Sequence, residues 1–146
     1  MKPTILVSAC LLGYRTKYSG EDNYTPDIEK LKEKFNLVAF CPEVDGGLDV
    51  PRPPSEIQGE NVTMLNGVDV TDQYNLGAKI AVRLAQKYDA QSAIMKERSP
   101  ACGSELVYDG TFSKKLIAGM GIAAKALKQI GVKVYNEKNF MRLLDE

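Results

Sequence analysis

The three cysteines are the side chains with the clearest chemical potential in this sequence. They are Cys10, Cys41 and Cys102, and the chain contains no histidine. An odd number of cysteines without an export signal indicates free, reactive or metal-bound thiols rather than structural disulfides. The lack of histidine excludes Ser-His-Asp and Cys-His catalytic groups and HExxH zinc sites. Acid–base chemistry must therefore use Glu, Asp, Lys, Tyr, Ser or a bound metal.

The cysteines share a predicted position, because each follows a short apolar run of strand length. These runs are Thr4–Ala9, Leu37–Phe40 and Ser92–Met95. The carboxyl ends of parallel strands meet at one edge of a sheet, so we expect the three thiols to converge there. Their linear spacing matches neither a CxxC pair nor a ferredoxin motif.

Three converging thiolates are compatible with two kinds of metal site. They can hold a tetrahedral zinc ion with water as the fourth ligand, or a cubane cluster in which one iron has no protein ligand. The alternative for each cysteine is a small, buried apolar side chain without a chemical role. The residue types alone leave these alternatives open.

Helical patterns alternate with the apolar runs and predict how the cysteines are positioned. They predict a helix capped by Thr25, a long helix capped by Thr71-Asp72, a helix over Gly121–Ile130, a fourth strand over Val132–Tyr135 and a last helix capped by Asn136. In the helix capped by Thr71-Asp72, the apolar residues Leu76, Ile80, Leu84 and Tyr88 recur at helical spacing. This alternation predicts an α/β fold, Rossmann-like or flavodoxin-like, with a mostly parallel sheet of about four strands flanked by helices.

Two connections are predicted to form small hairpin insertions. The stretch from Glu43 to Val70 is rich in Gly, Pro and polar residues, and Asn66-Gly67 favours a hairpin turn within it. Pro42 predicts that no helix follows the second strand directly. Tyr108-Asp109-Gly110-Thr111 predicts the second hairpin. A long connection of this kind is typical of a lid or binding loop.

Length and charge narrow the classes of function. The 146 residues suit one domain, residues 1–146, with a core of its own. Lys plus Arg and Asp plus Glu are balanced at 19 each, so we expect no nucleic-acid partner. The apolar run near the start is too short for a signal peptide or a membrane span, so we expect a cytoplasmic protein without a membrane partner.

Four longer motifs resemble those of the 2-thiouracil desulfidase (TudS) family. They are Ser8-Ala9-Cys10-Leu11-Leu12-Gly13, Cys41-Pro42-Glu43, Pro51-Arg52-Pro53-Pro54-Ser55-Glu56-Ile57 and Ser99-Pro100-Ala101-Cys102-Gly103. The resemblance covers nearly the whole chain. It differs at Ala101, where serine is frequent, and in the segment after Gly13.

The resemblance implies a cofactor, its ligands and a substrate. It implies a [4Fe-4S] cluster held by Cys10, Cys41 and Cys102, whose fourth iron takes sulfur from a thiolated nucleobase such as 2-thiouracil and releases it as sulfide without redox change. The implied partners are this small substrate and the iron–sulfur assembly machinery. Oxygen can remove such a cluster during aerobic purification.

Two residues near the cysteines are candidates for catalysis. Glu43, two residues after Cys41, is the first candidate for moving protons to water or to the leaving sulfur. Ser99, three residues before Cys102, is a candidate for orienting water or the substrate. The alternatives are a carboxylate that only stabilises its loop and a serine that only shapes a turn.

Three further residues are candidates for substrate binding. Lys96 and Arg52 could stabilise the anionic cluster or a developing anion, and Glu56 could accept hydrogen bonds from pyrimidine N–H groups. Solvated surface charge is the alternative for the two cations, and a surface salt bridge is the alternative for Glu56.

Other classes of protein are compatible with the same residues. One is a non-catalytic iron–sulfur or zinc sensor, in which metal binding rearranges the long loop for a partner. Another is a zinc hydrolase or deaminase-like enzyme with Glu43 as its base. Metal analysis and a sulfide-release assay separate these from a desulfidase.

Overall fold

The computed structural model of the protein describes residues 2–145. The strands are β1 (Thr4–Ser8), β2 (Asn36–Phe40), β3 (Ser55–Gln58), β4 (Asn61–Met64), β5 (Ser92–Ile94), β6 (Leu106–Tyr108), β7 (Leu116–Ala118) and β8 (Lys133–Tyr135). The α-helices are α1 (Pro42–Asp45), α2 (Thr71–Tyr88) and α3 (Ile122–Gln129), and 3-10 helices span Ala9–Leu12, Pro26–Glu33 and Phe140–Asp145.

Four of the strands form a parallel sheet in the order β2-β1-β5-β8. Counted along the chain, this is the 2-1-3-4 order with which flavodoxin-like sheets begin. The chain runs from β1 to β2 on one side and later crosses back to place β5 on the other side of β1, so the switch in strand order lies between β1 and β5. The predicted α/β fold is confirmed.

The sheet is covered on both faces, as the apolar run in β1 predicts. Successive side chains of a strand point to opposite faces, so Leu6 packs towards α2 and α3 while Ile5 and Val7 pack towards the 3-10 helices. All three are buried. Hairpins β3–β4 and β6–β7 lie outside this sheet as the predicted insertions.

The predicted long helix is present as α2, but its apolar residues mark the buried face only in part: Leu84 packs against the core, whereas Leu76 and Tyr88 do not. Leu76 and Tyr88 are 47% and 41% exposed. The buried face consists of Tyr74, Gly77, Ala78, Ala81 and Ala85. Small residues occupy it because α2 passes very close to α1: a Cβ at Gly77 would lie 1.9 Å from the backbone oxygen of Pro42.

Three local predictions also need correction. Pro42 begins α1 instead of preventing a helix, since a first-turn residue needs no N–H donor. The first hairpin pairs β3 with β4 around Gly59, and Asn66-Gly67 turns the chain only after β4. The first and last predicted helices are 3-10 helices. None of the helices within residues 2–145 has the length and apolar character needed to span a bilayer.

Candidate active site

A cavity of about 490 Å³ opens at the carboxyl ends of β1, β2 and β5. This is the edge at which open α/β sheets bind ligands. All eight side chains singled out from the sequence line it: Cys10, Cys41, Cys102, Glu43, Ser99, Arg52, Glu56 and Lys96. The predicted convergence of the cysteines is therefore observed.

Cys10 is held by the tight turn that ends β1. It lies in the 3-10 helix Ala9–Leu12, and its carbonyl oxygen accepts hydrogen bonds from Gly13 N at 3.2 Å and Asn23 N at 2.9 Å. Gly13 closes the turn at φ +98°, a conformation that favours glycine. These bonds fix the backbone of Cys10 with its half-buried thiol at the cavity.

Cys41 is held by the first turn of α1. Its carbonyl oxygen accepts the N–H of Asp45 at 2.8 Å, and its own N–H donates to Asp45 Oδ2 at 3.3 Å. Pro42 has a fixed φ that suits the start of a helix. Cys41 therefore leaves β2 with a defined orientation.

Cys102 is held by Ser99 and by the start of α3. The Ser99 hydroxyl oxygen accepts the N–H groups of Ala101 and Cys102, both at 3.1 Å. The amides of Ala123 and Ala124 donate to the Ala101 carbonyl oxygen at 2.9 and 3.1 Å. The first turn of α3 thus has its donors satisfied by this loop, and Cys102 itself is buried.

The environment of the cysteines disfavours free thiolates. Burial raises the pKa of all three thiols. The charge of Cys41 raises the pKa of both Cys10 and Cys102 further, which indicates that the thiols are close neighbours. As thiolates the three groups would repel one another, so only a cation that binds thiolate strongly would keep them deprotonated together.

The donor set fits a polynuclear iron–sulfur group. Within residues 2–145, no three Cys, Asp or Glu groups are arranged to hold one metal ion. A single zinc ion would bring all three sulfurs to about 2.3 Å from one point. Thiolate sulfur is also the ligand of iron–sulfur clusters, and three cysteines would leave one iron of a cubane without a protein ligand.

Glu43 is fixed from two sides at the cavity. Arg52 Nε donates to Glu43 Oε1 at 3.1 Å, and Arg52 Nη2 lies 3.1 Å from the same oxygen in an ion pair. The Ser99 hydroxyl donates to Oε2 at 3.3 Å. Arg52 is almost fully buried, and it also donates to the carbonyl oxygens of Asp49 and Thr16 at 3.0 Å each. The carboxylate is thereby oriented, with lone pairs left for a further donor.

Lys96 faces the cavity with its charge already paired. Its Nζ lies 2.8 Å from Glu137 Oε2 and donates to the Glu97 carbonyl oxygen at 3.0 Å. Its backbone N–H donates to the Ser8 hydroxyl at 3.1 Å, which ties the ends of β5 and β1 together. Lys96 also lowers the pKa of Cys10 in opposition to burial, so it lies near that thiol.

Glu56 is 8% exposed and is tied to the β6–β7 loop. Its Oε1 accepts the backbone N–H of Gly110 at 2.9 Å and that of Phe112 at 3.2 Å. The protein's own amides therefore use part of the hydrogen-bond accepting capacity that was expected to serve a pyrimidine. Its second oxygen takes part in neither of these bonds.

Glu97 is an organising residue that the sequence analysis missed. It is 5% exposed, and its Oε1 accepts four backbone N–H groups. The donors are Arg98 at 3.3 Å, Ser104 at 2.9 Å, Glu105 at 3.1 Å and Leu106 at 3.0 Å. Its Oε2 accepts the Ser104 hydroxyl at 2.7 Å and Asn136 Nδ2 at 2.8 Å. This carboxylate thus closes the loop that carries Cys102.

The hydrogen bonds to Glu97 together affect the pKa of its carboxyl more than its burial does. Burial alone raises the pKa of this carboxyl, but the hydrogen bonds from the Ser104 side chain and from backbone amides lower it overall. Because the pKa of Glu97 is lower in the folded state, its ionised carboxylate stabilises the folded protein fully at pH values above the carboxyl's ordinary pKa. This stabilisation is lost as the pH falls through the lower, folded value.

Reversing the hydrogen bonds among Glu97, Ser104 and Asn136 tests this network. In Glu97→Gln, the new amide group opposes Asn136 Nδ2, so we expect the free energy of unfolding to fall by about 2–3 kcal/mol. Asn136→Asp alone places two carboxylates together and should cost a similar amount. The double variant lets the new amide at position 97 donate to the new carboxylate at position 136, with the Ser104 hydroxyl reversed between them. It should recover stability to within about 1 kcal/mol of the unaltered protein.

Urea denaturation measures the free energy of unfolding of each variant. If the losses of the two single variants add up in the double variant, the network is contradicted.

Two buried hydroxyl groups beside Glu43 were also missed. Ser55 Oγ and Tyr74 Oη are both buried, and the Tyr74 hydroxyl lies close to both Ser55 and Glu43 without a well-formed hydrogen bond among the described residues. Burial, followed by the charge of Glu43, raises the pKa of Tyr74. The sequence could not predict that Tyr74 lies beside Glu43, because a tyrosine at a buried helix position is typical of ordinary core packing.

Comparisons with known proteins agree with this site. Residues 5–139 match the sequence family described as 2-thiouracil desulfurase. The uncharacterized protein YbbK of Bacillus subtilis (strain 168) is 39% identical over an alignment of 150 positions, which covers 96% of this chain and 99% of that protein. A solved structure described as the [4Fe-4S]-dependent thiouracil desulfidase TudS superposes with a TM-score of 0.92 at 39% identity, covering 98% of this chain and 96% of the other. The family prediction is confirmed, and the chain belongs to the 2-thiouracil desulfurase family.

Proposed function

We propose that this protein removes sulfur from a thiolated pyrimidine such as 2-thiouracil, with a [4Fe-4S] cluster as its cofactor. The observation that carries the proposal is the meeting of three thiols and an oriented carboxylate, Glu43, in one cavity at the switch in strand order. Membership of the 2-thiouracil desulfurase family and the likeness to a [4Fe-4S]-dependent desulfidase support it.

Cys10, Cys41 and Cys102 would hold the cluster, since they are the three cysteines of the chain and all line the cavity. When bound, the cluster supplies a thiophilic iron without a protein ligand, a Lewis acid that accepts the sulfur of the substrate. We further propose that iron–sulfur assembly machinery loads this protein in the cytoplasm.

The reaction replaces one bond to sulfur by one bond to oxygen. A C=S group and one water molecule give a C=O group and hydrogen sulfide, so no electrons are exchanged. Water must lose its protons, and the departing sulfur must gain them. A group that accepts a proton from water and passes it on therefore has to lie in the cavity.

Glu43 is the group best placed for this transfer. Arg52 and Ser99 fix its two oxygens, and both it and the cysteines line the cavity. Its carboxylate would accept a proton from the attacking water and return it towards the sulfur. Ser99, which donates to Glu43 Oε2, would hold the carboxylate in line and could turn its hydroxyl to the water.

The proposal is tested by anaerobic reconstitution followed by a sulfide assay. We expect a brown protein with broad visible absorbance and about four irons per chain. With 2-thiouracil it should release uracil and sulfide in equal amounts. A panel of thiolated bases would then rank the substrates. A protein that stays colourless after reconstitution would contradict the proposal.

The same experiment separates the other classes. A sensor domain would retain its cluster yet release no sulfide from any thiolated base. A zinc enzyme would contain zinc without acid-labile sulfide. Either result would replace the desulfidase assignment.

A further inference from the structure

The β6–β7 loop presents an aromatic side chain to the cavity in an unusual backbone conformation. Phe112 lines the cavity and is half-buried. Its φ is +55°, and that of Lys114 in the same loop is +64°. Residues other than glycine seldom adopt such angles, and they keep them only where surrounding contacts enforce them.

The contacts that enforce this conformation come from β3. Glu56 Oε1 accepts the N–H groups of both Gly110 and Phe112. Gln58 Nε2 donates to the Gly110 carbonyl oxygen at 2.8 Å. A Cβ at Gly110 would lie 2.7 Å from the Ile57 carbonyl oxygen, so only glycine allows the loop to approach β3 this closely. The loop is thereby fastened to a strand beside the cavity.

The other aromatic residues of the cavity are less suited to offer a ring face. Phe40 is 3% exposed and packed into the core. Tyr18 is 42% exposed, and its loop is held through a bond from Arg52 N to the Tyr18 carbonyl oxygen. Tyr108 ends β6, where its backbone is held by pairing with Leu116 of β7, and no buried carboxylate accepts its N–H. Phe112 alone combines partial burial with a backbone fixed by a buried carboxylate.

We propose that Phe112 is the stacking surface for the planar ring of the substrate, and that Glu56 is a positioning residue that fixes Phe112 instead of contacting the ring. This inference rests on the proposed function, because it takes the substrate to be a pyrimidine. Aromatic side chains stack on nucleobases without regard to their edge groups. Such a surface selects for a flat ring and leaves the thio group free to point towards the cysteines.

The test compares a planar ligand with a non-planar ligand that carries the same hydrogen-bonding groups. Uracil, the expected product, is planar and does not react, whereas 5,6-dihydrouracil keeps the same N–H and carbonyl groups on a non-planar ring. Calorimetry with the anaerobically reconstituted protein gives both dissociation constants. We expect Phe112→Leu to weaken uracil binding about tenfold and dihydrouracil binding less than about twofold. Phe112→Tyr should bind both ligands normally.

Variants of Glu56 separate positioning from direct contact. Glu56→Ala should weaken uracil binding as Phe112→Leu does, because the amides of Gly110 and Phe112 lose their acceptor. Glu56→Gln should restore uracil binding, since its amide oxygen accepts the same two bonds. With 2-thiouracil, the losses should appear in KM and leave kcat and iron content unchanged. A Glu56→Gln protein as weak as Glu56→Ala would show direct contact and overturn the positioning role.

Several outcomes would overturn the stacking role. These are no measurable uracil binding by the unaltered protein, an equal loss for both ligands in Phe112→Leu, and a loss that follows Tyr108→Leu, the matched control. The proposed function is judged separately by sulfide release. Sulfide release with normal uracil binding by Phe112→Leu would remove only this inference. The expected binding pattern without sulfide release would remove only the desulfidase.

Discussion

Cys102→Ser is expected to leave the protein folded but unable to keep a cluster or to release sulfide. Cys102 is the most buried of the three thiols, and Ser99 fixes its backbone at the cavity. Serine keeps the size of the side chain but replaces a soft sulfur ligand with a hard oxygen. Two remaining cysteines would leave two irons without protein ligands.

The measurements are iron per chain, visible absorbance and the rate of sulfide release after the same anaerobic reconstitution. We expect iron to fall below about one quarter of the unaltered value, with sulfide release at background. Ala101→Ser is the matched control, because it adds the same hydroxyl one residue earlier and removes no thiol. Cluster retention by Cys102→Ser, equal to that of the control, would contradict the proposed ligand set.

The arrangement of the cysteines could be predicted because it depends on strands. A short apolar run identifies a buried strand, and parallel strands bring their carboxyl ends to the same edge. Cys10 and Cys41 follow two such runs directly, and Cys102 lies in the loop after a third. No knowledge of the helices was needed for this step.

The packing of α2 could not be predicted in the same way. Its buried face uses Gly77 and alanines, whereas Leu76 is exposed. Hydrophobic periodicity weights large side chains, but close approach of α2 to α1 requires small ones. The deciding contact, between Gly77 and the Pro42 backbone, joins residues from different parts of the chain.

The hydrogen bonds that support the site could not be predicted for a related reason. Glu97 and Asn136 are 39 residues apart in the sequence, and each reads as an ordinary loop or cap residue. Glu56 was singled out for its charge, but its bonds to Gly110 and Phe112 depend on the placement of the second hairpin. Sequence motifs locate such side chains at a site without identifying the amides that they accept.

Glu43→Gln is expected to lower kcat by about 10²–10⁴-fold and to leave the cluster in place. The glutamine oxygen can still accept from Arg52, so the cavity should keep its shape. The amide cannot take a proton from water, which removes the transfer that the proposed function assigns to this residue. KM for 2-thiouracil and iron per chain should stay within about twofold of the unaltered values.

Asp49→Asn is the matched control for this substitution. It removes a carboxylate from the same connection, but its side chain is exposed, and Arg52 contacts only its backbone carbonyl oxygen. We therefore expect unchanged kcat and iron content. Steady-state sulfide release measures both proteins. A Glu43→Gln protein as active as Asp49→Asn would limit Glu43 to holding Arg52 and its loop, and proton transfer would then have to be assigned to another group in the cavity.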